Sequence, residues 1–456
     1  MSVTKRRNHY YLVSLGCSKN TVDSESMAQL LDESGMRPTE AAGAAEVLIV
    51  NTCGFINAAK DESVATLRKL AIGKKRDQLL IAAGCMAQRY GRELVDRVPG
   101  LDGVIGTRRW MDIVELITAL RGRTQPEPLY HLPDEAKTVG SDERGALRAT
   151  RQGNSAYLKI ADGCRRPCAF CAIPLIKGTA VSRPPDAIVR EVQRLEAQGV
   201  QELILIAQDS TDYGHDLGIK DGLAHLLDRL TTETAMPWLR LMYAYPGAVT
   251  DKLIEIMATR SQILNYLDIP LQHGSREVLK RMRRPANIEW CYQTLAKMRS
   301  AMPDLAIRTT FIVGYPGETE AEFNELMTFV RDLEFDRVGV FTYSYEENTP
   351  SAEQTGHLSE AEKNARREAL MALQQGISLR KNQNQVGRTL EVIVDGQDNN
   401  LTITRSYRDA PEVDGYVIVE GETAPGRPII PVRITGAMNY DLVGVVESGS
   451  PLITIG

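Results

Sequence analysis

Cys164, Cys168 and Cys171 stand in the run GCRRPCAFCAIP, three thiols spaced C-x3-C-x2-C on one short stretch. Thiolates are the ligands of iron–sulfur clusters, and a closed site takes four of them. Three thiolates on a four-iron cluster leave one iron open to a substrate or cofactor. A tetrahedral structural zinc also needs a fourth ligand, and no His or Cys lies close behind Cys171. The spacing therefore favours an open cluster over a reduced-thiol loop or a partial zinc knuckle.

A second trio is spread along the first part of the chain. Cys17 follows one strand-like run in VSLGCSKN, Cys53 the next in IVNTCGFI, and Cys85 a third in IAAGCMAQ. Each is about one strand–helix unit from the next. In a parallel sheet, ligand sites form beyond the carboxyl ends of the strands, so the fold itself would gather these thiols at one sheet edge. Scattered core cysteines would have no reason to share that edge. The seventh, Cys291, lies alone in a helical pattern (Glu289 to Met298) and is assigned to packing. The histidines form no H-x3-H or H-x4-H pair, and only His273, in PLQHGS, falls at a strand end.

The elements that must position these thiols can be read from hydrophobic periodicity. Strand-like runs Tyr10 to Ser14, Val47 to Asn51, Leu79 to Ala83 and Gly103 to Gly106 each precede a helical pattern, which predicts a parallel α/β domain. Arg121 to Gly153 is polar and broken by Pro126, Pro128 and Pro133, and reads as a linker. Six strand-like runs follow, beginning at Tyr157, Glu202, Leu239, Tyr266, Ile307 and Val338, with helical patterns between them. That is too few for a complete eight-stranded barrel, and predicts an open (βα)6 partial TIM barrel with its site at the strands' carboxyl ends. A long helix from Ser359 leads to five short strands in LEVIVDG, LTITRSY, YVIVEGE, IIPVRIT and YDLVGVV, expected as a small antiparallel β-barrel.

Bulk properties narrow the setting. Seven cysteines in 456 residues, six of them candidate ligands, point to a reducing compartment rather than a secreted disulfide framework. The N-terminus lacks a signal-peptide core, and no apolar run approaches the ~20 residues that span a bilayer. The expectation is a soluble, cytoplasmic protein with no membrane partner. From Gln383 onward five Arg and no Lys face ten Asp and Glu. An acidic terminal domain suits a basic partner better than a phosphate backbone.

The C-x3-C-x2-C loop resembles that of the radical S-adenosylmethionine (radical SAM) enzymes, and the chain as a whole resembles their methylthiotransferase family. The strings that carry this are SLGCSKNTVDSE, IVNTCGFI, YLKIADGCRRPCAFCAIP, AQDSTDYG, YLDIPLQHGS, TTFIVGYPGETE and FTYSYEENTPSA. The resemblance implies an N-terminal methylthiotransferase domain over residues 1–122, a linker over 123–153, a radical SAM domain over 154–380 and a TRAM β-barrel over 381–456. SLGC-x-KN-x-VDSE, NTCGFI and TRSYRDAPEVDG are similar to the branch that modifies an aspartate of small-subunit ribosomal protein twelve, rather than the tRNA-adenosine branch. Ser18 departs from the proline usual after the first cysteine and leaves the ligand itself untouched.

The resemblance implies two 4Fe-4S clusters, one on Cys164, Cys168 and Cys171 that binds and cleaves SAM, and an auxiliary one on Cys17, Cys53 and Cys85 that carries sulfur. It implies two uses of SAM, a methylation of that sulfur and a cleavage giving the radical that takes hydrogen from the aspartate β-carbon. No catalytic side chain is assigned, since cofactors carry the hard chemistry. Candidate SAM contacts are Gly314, Gly317 and Glu318 in the Gly-Pro-Gly turn, with Gln208, Asp209 and Arg308. The basic run Lys280, Arg281, Arg283 and Arg284 is assigned to a helix end, where cations suit the dipole. Asp409, Glu412 and Asp414 are expected on an exposed turn that docks the basic substrate. Expected partners are ribosomal protein twelve and a low-potential electron donor such as a flavodoxin, with tRNA unlikely. The competing readings are a tRNA methylthiotransferase, which asks for a basic barrel, and a non-catalytic iron–sulfur protein, which asks for four ligands per cluster.

Overall fold

Val47–Thr52 is an unbroken apolar-rich run, and every residue of it is buried, as a strand covered on both faces requires. It is central to six parallel strands in the order Arg37–Pro38, His9–Ser14, Val47–Thr52, Leu79–Ala83, Gly103–Gly106 and Leu129–His131. Alternate side chains serve opposite faces. Val47 and Ile49 pack with helices Ser18–Glu33 and Ile113–Arg121. Leu48 and Val50 pack with helices Asn57–Gly73 and Gly84–Arg97. The structure, a computed structural model, describes residues 8–123, 127–133, 147–398, 400–421 and 426–447.

The second sheet has seven strands. Six are parallel and lie side by side in chain order: Ser155–Lys159, Glu202–Ile206, Trp238–Leu241, Ile263–Asp268, Ala306–Val313 and Arg337–Thr342. Ala149–Gln152 adds an antiparallel edge strand to Ser155–Lys159. Leu158, Leu203, Leu205, Leu239 and Leu267 face a helical layer that also buries Cys291. Two segments of the expected linker are therefore strands. Leu129–His131 completes the first sheet and Ala149–Gln152 the second. Both are too short for periodicity to reveal, and they are held by backbone pairing together with a few side-chain contacts, among them Leu129 and Ala149 in the cores and His131 on Asp112.

The terminal strands Thr389–Asp398, Leu401–Ser406, Val417–Glu420, Ile429–Ala437 and Leu442–Val446 close into a barrel. It is not wholly antiparallel, since Val417–Glu420 and Leu442–Val446 run parallel. Five strands cannot alternate direction all the way around a closed ring, so one parallel pair is obligatory.

This small barrel packs on the inner face of the second sheet. Tyr157, Ile204, Trp238 and Tyr266 meet Ile393 and Ala410 there. Arginines that the sheet projects inward also meet the segment between the second and third barrel strands. Arg337 pairs with Asp409 at 2.5 Å, and Arg308 approaches Asp414 at 3.4 Å. Arg240 binds Glu202 at 2.7 Å and donates to the carbonyl of Tyr407, while Arg405 reaches Glu202 at 2.8 Å. The expectation that Asp409, Glu412 and Asp414 form an exposed docking turn is thus corrected. The Asp409 and Asp414 side chains are 1% exposed, and only Glu412 faces solvent. Burial raises the Asp414 carboxyl above its ordinary value, outweighing Arg308, Arg337 and the hydrogen bonds it accepts from the Tyr266 hydroxyl and the Ala410 amide. Removing one partner of a buried ion pair costs about 3–5 kcal/mol. Asp409→Ala should lower the thermal unfolding midpoint markedly, and Glu412→Gln should leave it nearly unchanged; equal effects in calorimetry would refute the plug.

Candidate functional site

All six candidate ligand cysteines line one cavity of about 470 Å³. Cys17 is the N-cap of helix Ser18–Glu33, Cys53 follows strand Val47–Thr52, and Cys85 sits in the first turn of Gly84–Arg97. Their approach depends on two glycines. A Cβ on Gly16 would fall 2.9 Å from the Cys53 sulfur, and one on Gly84 would fall 2.2 Å from the Asn51 Oδ1. Both glycines have φ of +94°, which L side chains rarely adopt. The other trio lies on the loop after Ala161–Asp162, where backbone amides of Arg166 and Ile173 donate to the sulfurs of Cys164 and Cys171 at 3.5 Å. Such donors favour charged sulfur.

Burial pushes the Cys85 and Cys171 thiols up to about 12 and Cys164 to about 11. At these three positions a thiolate is disfavoured until a metal replaces the proton. Among the described residues no three His, Cys, Asp or Glu are placed to hold a single metal ion. A four-iron cluster takes each thiolate on a different iron, so the donor set fits two clusters of that kind. The cavity also offers acceptors for a bound cofactor. The Oε1 atoms of Gln208 and Gln272 are buried without a partner among the described residues, and both residues line it. Phe55, Phe170, Tyr243, Tyr245 and Phe341 add aromatic wall.

A buried charge lattice joins the two cysteine-bearing domains beside this cavity. Asp23, from the helix that Cys17 caps, accepts from Lys159 at 2.5 Å, Arg148 at 3.2 Å and Lys177 at 3.3 Å. Asp162, two residues before Cys164, binds Lys177 at 3.0 Å and Lys159 at 3.2 Å. Lys177 faces the cavity as well, and its charge partly offsets the burial of Cys85. A second clamp sets Glu346 between Lys60 at 2.9 Å and Arg89 at 2.7 Å.

The candidate SAM contacts divide. Gln208, Asp209 and Arg308 line the cavity. Gly314, Gly317 and Glu318 lie outside its lining. Gly314 packs on Lys363 of the long helix Glu360–Gln383. The Glu318 carboxylate accepts from Arg366 at 2.6 Å and from the Tyr315 amide at 3.1 Å. The turn braces the long helix, which periodicity could not reveal. His273, 1% exposed, accepts from the Ser275 amide and takes no place in the cavity. Lys280 and Arg281 do end a helix, but Arg284 enters the cavity, stacks on Tyr245 at 4.2 Å and reaches the Cys168 sulfur at 3.7 Å. Lys19, Tyr243, Gln272 and Val413 were also unforeseen. Positive φ at Tyr243 (64°) and Gln272 (74°) has no sequence signature.

Three family models match in succession: Uncharacterized protein family UPF0004 over residues 9–106, the Radical SAM superfamily over 158–330 and the TRAM domain over 386–446. The chain is 47% identical to the ribosomal protein uS12 methylthiotransferase RimO of Chloroflexus aurantiacus, over 95% of this chain and 99% of that one. It is 46% identical to the protein of that name from Symbiobacterium thermophilum, over 97% and 92%. The chain belongs to the RimO family. RimO-family membership makes it a SAM-dependent radical methylthiotransferase with 4Fe-4S clusters. The radical SAM methyltransferase TsrM of Kitasatospora setae shares the fold, with TM-score 0.56 at 13% identity over 89% of this chain and 80% of that chain. No helix among the described residues is long and apolar enough to cross a membrane.

The charge lattice carries a pH signature. Burial raises the Asp162 carboxyl, and Lys159, Lys177 and Arg148 more than reverse this, holding it well below the usual carboxylate range. A depressed folded value gives stability that is full above the unfolded value of ~3.9 and lost as pH falls through the folded one. Asp162→Asn should melt below the parent at neutral pH, with the gap narrowing on acidification below about pH 4. A gap that widened in acid melts would contradict this account.

Proposed function

We propose that this protein attaches a methylthio group to the β-carbon of an aspartate in ribosomal protein uS12. The observation that carries this is the meeting of two three-cysteine sets, from separate domains, in one cavity. Cys164, Cys168 and Cys171 hold the cluster that binds SAM, and Cys17, Cys53 and Cys85 hold the auxiliary cluster. When bound, these cofactors supply hydrogen abstraction and the sulfur, neither of which ordinary acid–base side chains can provide at an unactivated carbon. The chain's own residues orient and enclose. The side-chain carbonyl oxygens of Gln208 and Gln272, without a partner among the described residues, suit the ammonium and hydroxyl donors of SAM. Phe55, Phe341 and Val413, from three domains, narrow the cavity and exclude water.

The substrate reading rests on the relatives' names and on charge. Glu391, Asp398, Glu412, Glu420 and Glu447 are exposed on the terminal barrel against Arg427 and Arg433. That surface stays acidic after Asp409 and Asp414 are withdrawn, which suits a basic ribosomal protein. A low-potential donor such as a flavodoxin supplies electrons, and the protein works in the cytoplasm. Anaerobically reconstituted protein should hold about eight irons. Replacing Cys17, Cys53 and Cys85 with Ala should abolish methylthiolation of uS12, yet leave some 5′-deoxyadenosine formation. Mass spectrometry of uS12 and of tRNA nucleosides from a deletion strain decides the branch: loss of the modification from tRNA instead of uS12 would refute it.

Arg284 gives a further check. Its charge and its hydrogen bond to Cys168 favour the reduced, more negative cluster. Arg284→Met should therefore retain iron and shift that cluster's potential downward in an EPR-monitored redox titration. An upward shift would remove Arg284 from the cluster's surroundings.

A further inference from the structure

Five cations line the cavity, and four are already bonded within the protein. Arg166 pairs with Asp209 at 2.6 Å, and Arg308 with Asp268 at 2.8 Å. Lys177 lies in the charge lattice, and Arg284 is held by the Pro270 carbonyl and the Cys168 sulfur. The fifth, Lys19, has no carboxylate or hydrogen-bond partner among the described residues. Its side chain crosses from the helix that Cys17 caps to the second sheet, and its ammonium rests 3.1 Å from the centre of the Tyr243 ring. The residue is 8% exposed. A ring face steadies a cation but neither neutralises it nor takes its three hydrogen bonds. An ammonium so enclosed is costly unless an anion meets it.

The Tyr243 platform is itself held under strain. Its φ is +64°, a conformation that costs a bulky residue of order 1–3 kcal/mol and persists only where surroundings over-determine it. Here its amide donates to Asp268 at 3.1 Å, and its carbonyl accepts from the Ser210 amide at 3.0 Å. Two residues on, Tyr245 carries Arg166 and Arg284, each at 4.2 Å, on the side of Cys168. One short loop thus steadies Lys19 near the trio of Cys17, Cys53 and Cys85, and two arginines near that of Cys164, Cys168 and Cys171.

We propose that Lys19 is the anchor for the carboxylate of the substrate aspartate, and so the residue that selects Asp over Asn. This rests on the function proposed above. A carboxylate on the Lys19 ammonium places its β-carbon one bond away, in the space between the two cysteine sets. Lys19 takes no part in bond making, and acts as a specificity and positioning residue.

The test uses reconstituted full-length protein, with purified uS12 and uS12 carrying Asn at the modified aspartate as the two probes. The parent should bind the Asp form about tenfold or more tighter, as befits a charge-assisted contact. Lys19→Met should collapse that preference while affinity for the Asn form and the iron content stay within about twofold of the parent. Lys19→Arg should restore the preference. If Lys19→Met weakens both forms equally, Lys19 has only a structural role and the inference fails. If it weakens SAM binding and spares the Asp preference, the ammonium serves the cofactor and the inference fails likewise. A parent that leaves uS12 unmodified would overturn the substrate reading, and this inference with it.

Discussion

The site depends on two buried carboxylates, Asp23 and Asp162, held among Lys159, Lys177 and Arg148. Each carboxylate is tied in sequence to one cysteine set: Asp23 to the helix that begins at Cys17, and Asp162 to the loop that begins at Cys164. Apolar contact could hold two domains together at many small displacements. Charges in a medium of low dielectric cannot slide, because any shift leaves one of them unpaired at a cost of several kcal/mol. The lattice therefore fixes how far apart the two sets of thiols stand. Lys177, which bonds both carboxylates, also stands close enough to Cys85 to offset part of its burial. Thiolate ligands on a bound cluster would find their counter-charge already in place.

The terminal barrel plays a matching part on the other side. Its segment from Arg405 to Gly415 enters the inner face of the partial barrel and meets each inward arginine with a carboxylate or a carbonyl. Val413 at its tip becomes wall for the reaction cavity. The cavity wall and the docking of the domain thus share one stretch of chain.

Much of this was legible in the residues. The cysteine spacing, the strand–helix alternation and the five terminal strands follow from patterns that local physics imposes. The position of Cys17, Cys53 and Cys85 at strand ends was enough to gather them. What could not be read was whatever depends on where one domain lies against another. Asp409 and Asp414 look like a solvated acidic turn until the arginines opposite them are known. Glu318 looks free until Arg366 arrives from a helix far along the chain. Arg284 looks like the end of a helix, and only the fold turns it inward to Cys168. The strands Leu129–His131 and Ala149–Gln152 were hidden for a related reason, since short edge strands owe their existence to a partner rather than to their own side chains.

The inward segment of the terminal barrel also limits how this architecture can be rearranged. Three domains in a row suggest parts that could be exchanged by recombination. The interior arginines argue otherwise, since Arg337 takes its carboxylate from the last domain, and Arg240 and Arg308, paired with Glu202 and Asp268 of their own domain, complete their contacts there. A foreign β-barrel, however well it folds, would have to bring acids and carbonyls at the same positions. Without them it would seal Arg337 inside the enzyme without its carboxylate and strip Arg240 and Arg308 of their outer contacts. The unit that can be inherited intact is the pair of domains, joined by a charge pattern that neither carries alone.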